Sequence, residues 1–141
     1  MFVRHSGKPK IAFWPKKAST AFSNHALVYP DGSGAVQPAD STSGGHIGVI
    51  AKAITSADDD YASNTLVPID EVGPEDIFEV DVGNGTATAA LVGTYIDLYD
   101  SVSVNVSATS KQVVFVVGFI SASKLLVKIN ASAGVVDVAT S

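Results

Sequence analysis

The sequence predicts a mainly β protein: a single small β-barrel or β-sandwich domain with an extended N-terminal arm. Three observations carry that expectation. Short runs rich in Val, Ile, Phe and Tyr recur about every ten residues, with Gly, Pro, Asn and Asp between them, the pattern of an all-β sandwich or barrel. No long stretch holds a 3.6-residue apolar period. The first 17 residues carry Arg4, Lys8, Lys10, Lys16 and Lys17, five of the nine basic residues, and no acid. Ser6, Gly7 and Pro9 interrupt that start, so it reads neither as a core strand nor as a secretion leader. The 141 residues fit one domain, read as a basic arm over 1–17 and a β-rich body over 18–141.

Residues 10–14 read as a short strand stopped by Pro15. Residues 26–29 form a second, followed by the turn chemistry of Pro30-Asp31-Gly32-Ser33-Gly34; residues 35–37 then return. A loop is expected over 38–45, with Pro38, Asp40 and Gly44-Gly45. Residues 46–54 fit a helical face through Ile47, Ile50, Ala51 and Ile54, but Gly48 and the β-branched residues favour a strand. Residues 65–69 form a strand whose Pro68 argues for an edge or a terminus. Residues 77–82 form another, ended by Gly83-Asn84-Gly85. One helical turn is expected near 87–92, then a strand over 95–99. Residues 101–106 alternate strictly, which puts Val102, Val104 and Val106 on one face. Residues 113–120 and 125–129, joined by a short polar connection, read as a β-hairpin. The expected core is Val102, Val104, Val106, Val114, Val116, Phe119, Leu126 and Ile129.

Composition removes several function classes. Hydrophobic residues at 46% and charged residues at 16% do not fit a disordered chain or a coiled coil. No run of 18 apolar residues exists to span a membrane as a helix. The chain has no cysteine, which removes disulfides, zinc–thiolate sites, iron–sulfur clusters and cysteine nucleophiles. A net charge of −5 makes it a poor partner for nucleic acid. His5, His25 and His46 lack metal-type spacing, and no Gly-x-Ser-x-Gly elbow is present. Asp58-Asp59-Asp60 lacks the spread ligands of a calcium loop. The acids around Gly73-Pro74 read as a solvated turn. Asn84-Gly85-Thr86, Asn105-Val106-Ser107 and Asn130-Ala131-Ser132 match the glycosylation pattern, as chance predicts in a chain rich in Ser and Thr. No enzyme and no cofactor are expected.

One cluster combines aromatic and basic residues: Phe13-Trp14-Pro15-Lys16-Lys17. Phe13 and Trp14 are the expected apolar anchors of a partner contact. Lys10 starts the strand that would add to a partner's sheet edge, and Lys16 and Lys17 would pair with carboxylates at the rim. The alternative is that this strand joins its own sheet. Residues 58–81 carry nine acids and no base, and they are expected at the surface, near basic groups of a neighbouring subunit.

Three stretches together resemble a known family: residues 10–16; Ala26-Leu27-Val28 with the Gly32-Ser33-Gly34 turn and Gly48-Val49-Ile50; and residues 113–130. Their layout is similar to that of the capsid decoration proteins of tailed bacteriophages, which cement or stabilise the head. The resemblance implies a β-rich body bound to the outside of an icosahedral shell, with the major capsid protein as partner. It further implies homo-oligomers, trimers above all, assembly in the host cytoplasm, a final place on the virion surface and no catalysis. Two other readings stand beside it: another virion component, such as a head-fibre base or tail protein, and a carbohydrate-binding β-sandwich, which should expose clustered aromatics.

Overall fold

A computed structural model describes residues 1–43 and 46–130. Gly44 and Gly45 of the expected loop, residues 131–141 of the expected body, and with them most of the third glycosylation pattern lie outside the described residues. In chain order the strands are β1 (Phe2–Ser6), β2 (Ile11–Pro15), β3 (Leu27–Pro30), β4 (Val36–Pro38), β5 (Gly48–Ile50), β6 (Leu66–Glu71), β7 (Ile77–Asn84), β8 (Tyr95–Asp100), β9 (Ser103–Asn105), β10 (Val114–Ser121) and β11 (Lys124–Ile129). The helical turn expected near 87–92 is a 3₁₀ turn, Ala89–Leu91. Residues 46–54 resolve in favour of the strand. Gly48 lies so close to the Asp70 carbonyl that a side chain there would collide with backbone.

Five strands, β7-β11-β10-β8-β9, close into a barrel. All neighbours are antiparallel except the seam, where β7 and β9 run parallel through Asp81–Ser103 and Val82–Val104. Alternation puts Phe78, Val80, Ile96, Leu98, Val104, Val114, Val116, Leu125, Val127 and Ile129 inside, enough to fill a barrel this narrow. The expected hairpin is β10–β11, with Val114 opposite Ile129.

The second sheet has the order β2-β6-β5-β3-β4. Past β2, a parallel bridge between Lys16 and Val36 carries the chain back to β4. The sheet therefore curls around a core of its own: Phe22, Ala26, Val28, Val36, Ile50, Ile54, Val67 and Ile69. On the opposite face, Leu27 of β3 and Val49 of β5 join the barrel's core beside Phe2. The β3–β5 half of this sheet is thus covered on both faces.

Five expectations are corrected. No arm leaves the body: β1 lies along β7, with Phe2 opposite Val80, and β2 lies along β6. Phe2 is fully buried in the barrel core, and burying one phenyl ring stabilises by about 2–3 kcal/mol. Phe119 is not core. It stands opposite Leu125 near the hairpin tip and is 42% exposed. In β11 the buried leucine is Leu125, while Leu126 is half-buried. Val102 and Val106 are half-buried beside separate cores, so the strict alternation of 101–106 holds one buried valine, Val104. Pro68 lies in a strand flanked on both sides. Its carbonyl accepts from the Ala51 N–H at 3.0 Å, one residue beyond β5. The ladder bond that proline cannot donate is therefore the last rung, where its loss costs least.

Candidate interaction surface

The sign segregation of the sequence is resolved within the chain. Arg4 of β1 reaches across to β6 and the following turn. Its Nε donates to Asp70 Oδ2 at 2.9 Å and its Nη2 to Asp70 Oδ1 at 2.7 Å, a bidentate pair. Nη1 lies 2.8 Å from Asp76 Oδ1, and the guanidinium sits 5.0 Å above the Phe78 ring. The Lys10 ammonium lies 3.4 Å from Asp76 Oδ2, and Gly73 N–H donates to the same oxygen at 2.8 Å. The terminal ammonium of Met1 contacts Asp81 at 2.7 Å. Of the nine acids of residues 58–81, Asp70, Asp76 and Asp81 pair with the N-terminal segment of their own chain, while Asp60 and Glu79 pair with Lys52 and Lys124.

These contacts shift the titrations. The Asp70 hydrogen bond raises the Arg4 pKa above its ordinary value. Burial would raise Asp76, but the Arg4 hydrogen bond, the Gly73 N–H and the charges of Arg4 and Lys10 together hold it below the usual carboxylate range.

The five residues expected to bind a partner have separate fates. Lys16 is fully buried. Its ammonium donates to the carbonyls of Tyr61 at 2.7 Å and Ser63 at 2.6 Å, clamping the acidic loop onto the second sheet. Trp14 packs on the second core, and its indole N–H donates to Glu71 Oε2 at 3.0 Å. Lys10 is held by Asp76. Lys17 is exposed at the surface. Phe13 alone has the disposition an anchor needs, at 64% exposed.

Phe13 is not isolated. Ala12, Trp14 and Lys16 face the inner side of the sheet, so alternation turns Ile11 and Phe13 to the outer side. There Phe13 stands opposite Pro68 and Pro15 opposite Leu66. Ile11 is 50% exposed and Leu66 63%. The barrel covers this face only at β3 and β5, so its β2–β6 half presents Ile11, Phe13, Leu66 and Pro68 to solvent. At the seam with the barrel the patch runs into a cleft of about 210 Å³ lined by Arg4, Pro9, Ile11, His25, Ala51 and Asp70. The Arg4–Asp70 pair borders the apolar patch and ties β1 of the first sheet to β6 of the second.

The remaining candidates are the histidines and the acidic loop. His46 is buried, with Nε2 3.1 Å from Ser43 Oγ, and its Nδ1 has no hydrogen-bond partner among the described residues. His5 is exposed and His25 half-buried. Asp58 accepts the Thr55 N–H at 2.7 Å, and Asp60 lies 3.6 Å from Lys52. Among the described residues no group of His, Asp or Glu is placed to hold a metal ion. Arg4 and Leu66 were missed by the sequence reading. Each had a signal: a lone arginine among lysines facing an acidic segment, and a leucine out of phase with Val67 and Ile69. No protein-family model matches the chain, and no curated protein matches it.

Proposed function

We propose that this chain is a structural virion protein that binds the outside of an icosahedral phage capsid and stabilises it. The uncovered β2–β6 half of the second sheet is the docking face. One observation carries the reading: Ile11, Phe13 and Leu66, each at least half exposed, share one surface built on two rigid strands. Contiguous exposed apolar groups of this kind mark interaction sites, and a large aromatic at the centre is the usual anchor. The partner is the major capsid protein. Binding that requires the assembled shell stabilises the shell by mass action, which needs many copies and no catalysis.

A carbohydrate-binding module is the second reading. It is favoured by the pair of exposed Tyr95 and half-buried Phe115, with ring centroids 4.9 Å apart, beside Lys128 and Asn130 in an open groove.

The test is the copy number on purified particles. A decoration protein is present in a fixed ratio to the major capsid protein. A stoichiometry of only a few copies per particle would contradict the first reading, and retention on a glycan column would favour the second.

A further inference from the structure

The free edge of β2 is patterned. In the β2–β6 pairing, Glu71 N–H donates to the Lys10 carbonyl and Lys16 N–H to the Thr65 carbonyl, both at 3.0 Å. Antiparallel ladders alternate hydrogen-bonded and open pairs, so the even-numbered residues 10–16 bond to β6. The backbone groups of the odd-numbered residues therefore point away from the sheet. Two of those, Pro9 and Pro15, carry no N–H. Between them the N–H and C=O groups of Ile11 and Phe13 have no backbone partner among the described residues. The outer edge reads Pro9-x-Ile11-x-Phe13-x-Pro15: between the prolines it offers two donors and two acceptors, and at Pro15 the Lys16–Val36 bridge brings β4 alongside and ends it.

We propose that this edge pairs with the same edge of a second copy, antiparallel about a two-fold axis through Ala12. Ile11 then lies opposite Phe13 of the second copy and exchanges both main-chain hydrogen bonds with it, and the axis generates the same pair again. All four groups are satisfied. Pairing stops short of Pro9 and Pro15, which have no N–H to leave stranded, and β4 borders Pro15. A two-fold interface must be self-complementary, and the spacing of this edge is.

Charge permits the contact. Lys10 falls opposite Trp14. Position 16 is closed to a second copy, because Val36 of β4 already pairs with Lys16 there, so Lys8 of that copy meets no lysine. No two solvent-facing lysines oppose each other, which would be destabilising. The window is also bounded. Lys17 N–H already donates to the Val36 carbonyl of β4 at 2.9 Å, and the chain turns off before Pro9 at Gly7, whose φ of 93° is left-handed. An open edge normally invites indiscriminate pairing; this one admits a single short register. Pairing sets the apolar faces of the two copies side by side, and it does not depend on the shell-binding reading.

The test uses the full chain with no shell present. The expected result is a concentration-dependent dimer in sedimentation equilibrium. Ile11→Pro removes one outward donor per copy, as Pro9 and Pro15 already do natively, and should weaken the dimer roughly tenfold or more. Ile11→Val should leave it intact. Ala12→Cys gives a second readout. Residues facing each other at an open pair have Cα atoms about 4.5 Å apart, within disulfide reach, and the chain has no other cysteine. Mild oxidation should therefore give a covalent dimer, while Ser33→Cys, on a distant turn, should not. If Ile11→Pro fails to fold, the Ala12→Cys result decides. A monomer at all concentrations, a trimer, or a dimer that Ala12→Cys does not cross-link would overturn the proposal.

Discussion

Arg4→Ala is expected to destabilise the fold by about 3–5 kcal/mol, the cost of leaving buried carboxylates without their cation. The side chains involved are largely hidden: 13% exposed for Arg4, 14% for Asp70 and 4% for Asp76. Truncation leaves Asp70 without its bidentate partner and Asp76 with Lys10 and the Gly73 N–H. The pH dependence gives the effect a signature. In the native chain Asp76 is held below its ordinary value of 3.8, so its stabilisation is present above that pH and is lost as pH falls through the lower folded value. Without Arg4, burial is opposed only by the Gly73 N–H and the Lys10 charge, so Asp76 takes up a proton more readily than in the native chain. The deficit should therefore be largest near pH 7 and shrink as pH approaches 4. Urea unfolding at several pH values, at constant m, measures it. A deficit below about 1 kcal/mol at pH 7 would mean that the cluster is solvated and does not hold barrel and sheet together.

The strands were more legible than their partners. Hydrophobic runs and turn residues placed ten of the eleven, because alternation and Gly/Pro punctuation are local properties. β1 was missed because Phe2-Val3-Arg4-His5-Ser6 holds one buried side chain, Phe2, and otherwise looks like a polar arm. Only the long-range pairing with β7 makes it a strand. Charge segregation was visible but not its target: complementarity between residues 1–17 and 58–81 is equally satisfied within one chain or between two. Closure within the chain follows from β1 running along β7, which no local pattern announces. Of the two expected apolar anchors, Phe13 stands exposed at 64%, while Trp14 packs on the second core. The burial of Lys16 was not legible, because it depends on two main-chain carbonyls supplied by a loop 45 and 47 positions away.

A second large effect concerns acid. His46 is 3% exposed, and its pKa is pushed down to about 4 from 6.5, chiefly by burial, with Asp40 pulling the other way. Tyr29, whose ring centroid lies 6.3 Å from that of His46, stays neutral in this range, its own pKa raised by burial and then by Asp40. The unfolded state takes up a proton near pH 6.5, and the folded state resists until about pH 4. Stability is therefore full above pH 6.5 and falls as pH drops through that window, by roughly 3 kcal/mol in all. The depressed carboxylates Asp31, Asp76 and Asp81 act at the acid end of this window and below it. His46→Gln should flatten the curve between pH 6.5 and 4 while leaving the steeper loss below it. An unchanged slope in His46→Gln would assign the acid sensitivity elsewhere.

The central claim is that the uncovered β2–β6 face binds the shell, and it is tested most directly by charging that face without disturbing the fold. Phe13 and Leu66 contribute little to either core, so the double variant Phe13→Asp with Leu66→Asp should keep its circular dichroism spectrum and melt within a few degrees of the parent chain. Val92→Asp with Ile120→Asp, at comparably exposed sites on the barrel, is the control. Each is mixed with undecorated shells, and bound protein is counted after sedimentation. The expected result is near-full occupancy for the parent and the control, and binding weaker by roughly thirtyfold or more for the face variant. Full occupancy by a folded Phe13→Asp, Leu66→Asp chain would contradict the account.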